Sequence, residues 1–259
     1  GAVLADGRRR LGPIRAIVTD PFYRGLFRFT AYQALLSTLA SLALGLPGAY
    51  LLARYEFPGR RTIRSLTLVP FVLPSIMVAV GFAAMFGRGG PLNRALGALG
   101  LPTVELMFTL SIIVLAHAFY NAPLVVRVVA AAWETVDART VETARSLGAS
   151  PRRAFLDVVV PQLLPAVLTS ALLVFIFTFM SFPIVLALGG LELATVEVWL
   201  YDRITSLRLD EAAALAVLEA AITLGLTYAY LRYETSQAAT RSALLRGRKR
   251  LFDRLDAER

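Results

Sequence analysis

Long apolar runs free of Asp, Glu, Lys and Arg alternate along the chain with shorter polar connections. A bilayer core of about 30 Å takes roughly 20 apolar residues of helix, so each such run is a candidate span. Five runs qualify: Phe29–Ala53, Ser65–Gly87, Leu106–Val126, Val158–Leu191 and a stretch over 212–231 interrupted only by Glu219. The fourth leaves room for a lead-in before its helix. Spans are therefore expected at 29–53, 65–87, 106–126, 163–187 and 212–231. Pro47, Pro70, Pro74 and Pro123 fall inside these runs. In water they would argue against helix; in a bilayer, neighbouring helices satisfy the carbonyls that proline frees. Pro161 and Pro165 suggest a bent start to the fourth run, and Pro183 a break near its end. The expected organisation is an external segment 1–28, a transmembrane domain 29–235 and a basic tail or linker 236–259.

Composition agrees with that pattern. Of the 259 residues, 57% are hydrophobic and 17% charged, against about 25% charged in an ordinary soluble domain. Disorder is excluded by the same figures. The net charge of +9 is one of placement. Seventeen Arg and Lys residues fall on the side of 54–64, 127–157 and 232–259, and ten on the other. Basic loops stay inside, so loop 127–157 and the tail are expected in the cytoplasm, with the chain multi-pass in the cell membrane. The charge is then no sign of nucleic-acid binding. With no cysteine and His117 as the only histidine, disulfides, thiolate sites and a multi-histidine metal site are excluded. No His/Cys/Asp cluster lies within the spans, so no catalytic or metal residues are assigned. Gly1 in place of Met, with six arginines in 1–28, reads as an earlier span preceding Gly1.

Loop 127–157 is the long polar connection, and its conformation is legible. Val141, Ala144 and Leu147 share a face at helical spacing, predicting a short helix over 138–147. Gly148 stands where a helix ends in the left-handed conformation. Ser150 suits an N-cap and Pro151 a first helical position, and Ala154, Phe155 and Val158 lie along the helix that follows. From physics alone, such a helix–turn–helix rests on lipid headgroups or receives another surface.

The residues also carry a resemblance. Glu142-Thr143-Ala144, Leu147-Gly148-Ala149-Ser150, Phe155, Val160-Pro161 and Pro165 are similar to the E-A-A loop of binding-protein-dependent ABC importer permeases. Thr143 stands where that pattern has Ala, and Val160 where it has Leu. The resemblance covers about residues 29–235 and implies an all-α membrane protein, the five-span type I permease core with a cytoplasmic coupling-helix loop at 132–157. It implies that Glu142 and Ala144 hold the first loop helix and that Gly148 makes the turn. Ala149, Ser150, Pro151 and Phe155 would meet a cytoplasmic ABC ATPase dimer, and Pro161 and Pro165 would set how the loop leads into the fourth span. ATP and Mg would sit on that partner: the only lysine, Lys249, lies in an Arg-Gly-Arg-Lys-Arg run and not in a phosphate-binding loop. An external solute-binding protein and a second permease half complete the implied assembly. The segments Phe86–Asn93, Leu115–Pro123, Leu186–Gly190 and Thr195–Glu197 resemble the thiamine and ferric-iron importer branch, in which two halves are often fused; the chain resembles the first half, with its tail as linker.

Polar groups within spans are the natural candidates for a solute pathway. Here they are His117 and Asn121, four apart on one helical face, with Ser181 and Glu219. Each has a plainer reading: His117 and Glu219 bonded to neighbouring helices, Asn121 capping a carbonyl freed by Pro123. The alternative to an ATP-driven importer is a channel or ion-coupled carrier. The tail sequence 241–259 is basic and amphipathic, suited to acidic lipid headgroups.

Overall fold

A computed structural model describes residues 15, 17–67 and 69–257, with side chains as far as residue 235. The expected external segment 1–28 lies outside the described residues over 1–14 and 16, and so do the basic side chains expected of the tail 236–259. In chain order the helices are α1 (Pro21–Arg54), α2 (Arg60–Leu66), α3 (Val69–Val72), α4 (Ser75–Phe86), α5 (Pro91–Ala98), α6 (Leu110–Glu134), α7 (Ala138–Ser146) and α8 (Pro151–Ala154). A π-helical turn over Phe155–Val159 leads into α9 (Val160–Phe179), followed by α10 (Pro183–Gly189), α11 (Val196–Thr205) and α12 (Leu209–Ala257). Among the described residues, five helical segments are long and apolar enough to cross a membrane: Pro21–Arg54, Ser75–Ala98, Leu110–Glu134, Pro151–Phe179 and Leu209–Thr235.

The span boundaries differ from the expected ones for local reasons. α1 begins at Pro21, earlier than 29, because Asp20 is its N-cap: the carboxylate accepts the Phe22 N–H at 2.8 Å, and Pro21 occupies the first helical position. The second span does not run from 65. Pro70 and Pro74 divide that stretch, and the continuous helix starts only at Ser75. α6 continues past Val126 because Arg127 lies on an exposed face and interrupts nothing. The fourth span is not 163–187. Its helix ends at Phe179, Met180–Phe182 break it, and α10 restarts at Pro183. Upstream, Pro161 has no N–H to give the Asp157 carbonyl, and its ring would crowd that group in an α-helix. The backbone widens there instead, with the Val160 N–H reaching back to Phe155. α12 does not stop at 231 but continues unbroken to Ala257.

α6 is the axis of the bundle, with α1 packed along it and α9 against both. The α1 face turned inward carries small and polar residues: Thr30, Gln33, Ala34, Ser37, Thr38, Ser41, Gly45 and Ala49. Of its large side chains, Tyr32, Leu35, Leu39 and Leu44 are exposed, while Leu26 and Leu52 near its two ends are buried. This is how helices associate in lipid, where close backbone approach replaces a hydrophobic driving force. Gly45 is the tightest point. A Cβ there would stand 2.6 Å from Val125 Cβ and 3.0 Å from the Ala122 carbonyl oxygen. A second core joins Ala79 of α4, Ile112 and Ile113 of α6, and Ile184 and Leu188 of α10. At the end of the bundle away from α7, Arg203 stacks 4.3 Å over the Trp199 ring and pairs with Glu211 at 3.3 Å. Tyr23 donates to the same carboxylate at 3.0 Å, so α1, α11 and α12 are tied together.

Gly45→Ala should lower the unfolding midpoint of the detergent-solubilised protein, by overpacking worth about 1–3 kcal/mol. Gly81→Ala, where nothing lies within 4 Å of an added Cβ, should leave it unchanged or raise it. Equal melting shifts in the two variants would show that the α1–α6 approach is not limiting.

Candidate functional site

The segment between α6 and α9 is built by a succession of caps. Asp137 accepts the Arg139 N–H at 2.9 Å and starts α7. The helix closes with two backbone bonds: Gly148 N–H to the Arg145 carbonyl at 3.0 Å and Ala149 N–H to the Ala144 carbonyl at 3.1 Å. That pair is a Schellman motif, which requires a left-handed residue at Gly148, whose φ is +93°. Ala144, Gly148 and Ala149 are therefore the three points of one helix stop. Ser150 then accepts the Arg153 N–H at 3.3 Å, with Pro151 first in α8. Glu142, Gly148, Ser150 and Pro151 are exposed, and Ala144 and Ala149 half-buried. Leu147, at the tip, is 84% exposed.

Two sets of contacts brace this tip against the spans. Phe155 stacks on Trp133 at 6.1 Å, Trp133 packs on Tyr50 at 5.3 Å, and Tyr50 meets Tyr55 edge-on at 5.7 Å. The resemblance implies Phe155 as a contact for an outside partner; the structure stacks it on Trp133 and leaves it 39% exposed, while Leu147 is the more exposed apolar side chain. Separately, the Glu134 carboxylate receives Arg64 at 3.0 Å and Arg60 at 3.2 Å, while Arg60 Nε donates to the Leu52 carbonyl at 2.8 Å. The α1–α2 connection, the end of α6 and the loop are thus in contact with one another. Pro161 is exposed and Pro165 half-buried, both beyond the π turn where the loop becomes the fourth span.

The pathway candidates lie elsewhere, in a belt of polar groups within the bundle. His117 Nδ1 lies 3.1 Å from Ser37 Oγ of α1, and Nε2 lies 2.8 Å from Ser181 Oγ beyond α9. A neutral imidazole serves both, one nitrogen donating and the other accepting. Asn121 donates to the His117 carbonyl at 3.0 Å; the carbonyl that Pro123 frees is Phe119's, so Asn121 is not its cap. Gln33 donates at 2.8 Å to the carbonyl of Thr178, in the last turn of α9, where carbonyls lack helical donors. Thr30 Oγ1 accepts the Val196 N–H at the start of α11 at 3.0 Å. His117 and Asn121 are each 1% exposed and Glu219 is 5% exposed in the single chain, and Ser181 is half-buried. The structure thus uses His117 to join α6 to α1 and to the segment after α9, while Asn121 bonds only within α6. Gln33, Ser37 and Thr178 were missed in the sequence, although Gln33, Ser37 and Ser41 recur at helical spacing in an apolar run.

Residues 45–233 match the family described as the binding-protein-dependent transport system inner membrane component. The putative 2-aminoethylphosphonate transport system permease protein PhnU of Salmonella typhi is 30% identical over 242 residues, covering 92% of this chain and 83% of that protein. The thiamine transport system permease protein ThiP of Brucella abortus is 34% identical over 214 residues, 79% of this chain. The chain spans only 38% of that relative's length. In fold, it superposes on a chain of the crystal structure of a bacterial ABC transporter involved in the import of the polysaccharide alginate. The TM-score is 0.72 at 16% identity, covering 86% of this chain and 83% of the other. With a matched region that takes in the end of α1, α6, the braced loop and most of the fifth span, the chain belongs to the family of inner-membrane permease components of binding-protein-dependent ABC importers.

Proposed function

We propose that this permease forms one half of a solute pathway and is driven through α7, the Gly148 turn and α8 by a separate ATPase dimer. The observation that carries the reading is the exposed, capped tip at Leu147 standing on a rigid aromatic and ionic brace. A force on the tip passes along Phe155 and Trp133 into α1 and α6, and through the π turn into α9. Glu142, Ala149, Ser150 and Pro151 flank the contact, Ala144 and Gly148 fix its shape, and Pro161 and Pro165 mark where it joins the span. ATP and Mg belong to the partner. The arginine distribution supports a cytoplasmic position for the loop and for the α12 extension, and so an external position for the Trp199–Arg203–Glu211 end, where a solute-binding protein docks. A second permease half, fused or separate, completes the pathway.

The solute is a small molecule handed over by that binding protein. Thiamine, one of the two solutes that the sequence resemblance suggests, is named by the Brucella relative; ferric iron is the other, and the PhnU relative is named for 2-aminoethylphosphonate. The burial of His117, Asn121 and Glu219 in the single chain supports selection outside the membrane, by the binding protein. A channel or ion-coupled carrier would have no use for a braced, exposed helix stop.

Leu147→Asp should leave the permease folded and membrane-inserted yet weaken its co-purification with the ATPase at least about tenfold, a loss of about 1.4 kcal/mol. Unchanged co-purification would sink the docking reading. Trp133→Ala, by contrast, should retain the ATPase and its hydrolysis while solute uptake into vesicles falls on the order of tenfold, through loss of the stack. Parallel loss of hydrolysis and uptake would place Trp133 in docking instead of transmission. Binding protein captured on the assembled importer should carry thiamine or iron; release of neither would remove both solutes from consideration.

A further inference from the structure

Behind the loop, the ends of α1, α6 and α9 separate and leave a cavity of about 1030 Å³. Its lining is mostly apolar, from side chains such as Leu46, Val129, Val141, Leu163 and Val167. Leu164, on the open side, is exposed toward the surroundings of the bundle. The mouth is cationic. Arg54 ends α1 and Arg145 lies in the last turn of α7, both exposed at the rim. Among the described residues neither guanidinium has an ion-pair partner, whereas the rim carboxylate of Glu134 is already taken by Arg60 and Arg64.

We infer that this cavity is a binding site for one anionic phospholipid, an acyl chain in its depth and the headgroup phosphate between Arg54 and Arg145. Three features select that occupant. The cavity lies at the loop end of three spans, and span ends are where a chain meets headgroups. An apolar volume of this size beneath two unpaired cations matches an anionic amphiphile and not a neutral one, and basic pockets between spans recognise such headgroups. An extended peptide would leave its N–H and carbonyl groups facing apolar walls. Trp133 and Phe155 form part of the lining, so the lipid would sit against the brace that holds the tip. Binding needs only this geometry; any effect of the lipid on transport rests on the driven-loop reading above.

Trp133 and Trp199 are the only tryptophans, so Trp199→Phe leaves Trp133 as the sole reporter on the cavity wall. The full chain carrying that change is reconstituted in phosphatidylcholine vesicles containing a minor fraction of lipid with brominated chains. Brominated phosphatidylglycerol should quench Trp133 in preference to brominated phosphatidylcholine, with an affinity ratio on the order of tenfold from two cations at the headgroup. Arg54→Gln with Arg145→Gln should abolish the preference, and Val141→Phe, which puts a larger ring into the cavity lining, should reduce quenching by both lipids. Equal quenching by the two lipids, a preference that survives loss of both arginines, or a Trp133 that neither lipid reaches would each overturn the site. All these readings are taken without an ATPase, so the lipid site can fail while the docking reading stands, and the reverse.

Discussion

A helix that ends or bends inside a bilayer exposes backbone groups that no water can satisfy, and the bundle is arranged around that requirement. α9 stops at Phe179 and α11 begins at Val196, both within the packed region. Gln33 and Thr30, on the inward face of α1, supply the partners. Their reach depends on α1 lying close to the bundle axis, and that closeness depends on Gly45 and Ala49 against Val125 and Val129. Remove the close approach and the polar belt loses its distances: Ser37 no longer meets His117, and His117 no longer holds Ser181. The contact between α1 and α6 therefore decides whether the broken helices are tolerable at all.

The loop is coupled to this frame by different chemistry. Its brace is aromatic and ionic, at a level where side chains meet headgroups and water. Ion pairs as exposed as those of Arg64 with Glu134 contribute little to stability by themselves. Their importance is geometric: one carboxylate fixes two arginines of α2 to the end of α6, leaving the loop few independent motions. The π turn adds a second consequence. A wide turn just before Pro161 is a place where α9 can change direction without unfolding, because the proline has already removed the hydrogen bond that would resist it.

Much of this was legible in the sequence, and the failures have physical causes. The number of spans follows from charge-free length. The loop conformation follows from Asp137, Gly148, Ser150 and Pro151, because caps are local chemistry and need no tertiary information. Boundaries were misjudged where charge was taken for an end: Arg127 sits on an exposed face of a helix that continues to Glu134. They were misjudged again where proline was taken to be tolerated, since Pro70 and Pro74 do interrupt the second run. The role of His117 could not be read at all. A buried histidine and a pathway histidine have the same neighbours in sequence, and only the positions of Ser37 and Ser181 distinguish them. Gln33 shows the opposite case. Its spacing was visible, but the carbonyl it serves is 145 residues away.

Along the middle of α1 the face that packs inward is the polar one, while Tyr32, Leu35, Leu39 and Leu44 point outward. The helix is thus inside-out relative to one from a water-soluble bundle, and its specificity does not reside in its hydrophobicity. Rewriting the protein for water would leave Thr30, Gln33, Ser37, Ser41 and Gly45 untouched, letter for letter. Tyr32, Leu35, Leu39 and Leu44 could be exchanged for charged side chains without altering a single interhelical hydrogen bond of the belt. The instructions for assembly and those for residence in the membrane are written on opposite sides of the same helix, and can be edited separately.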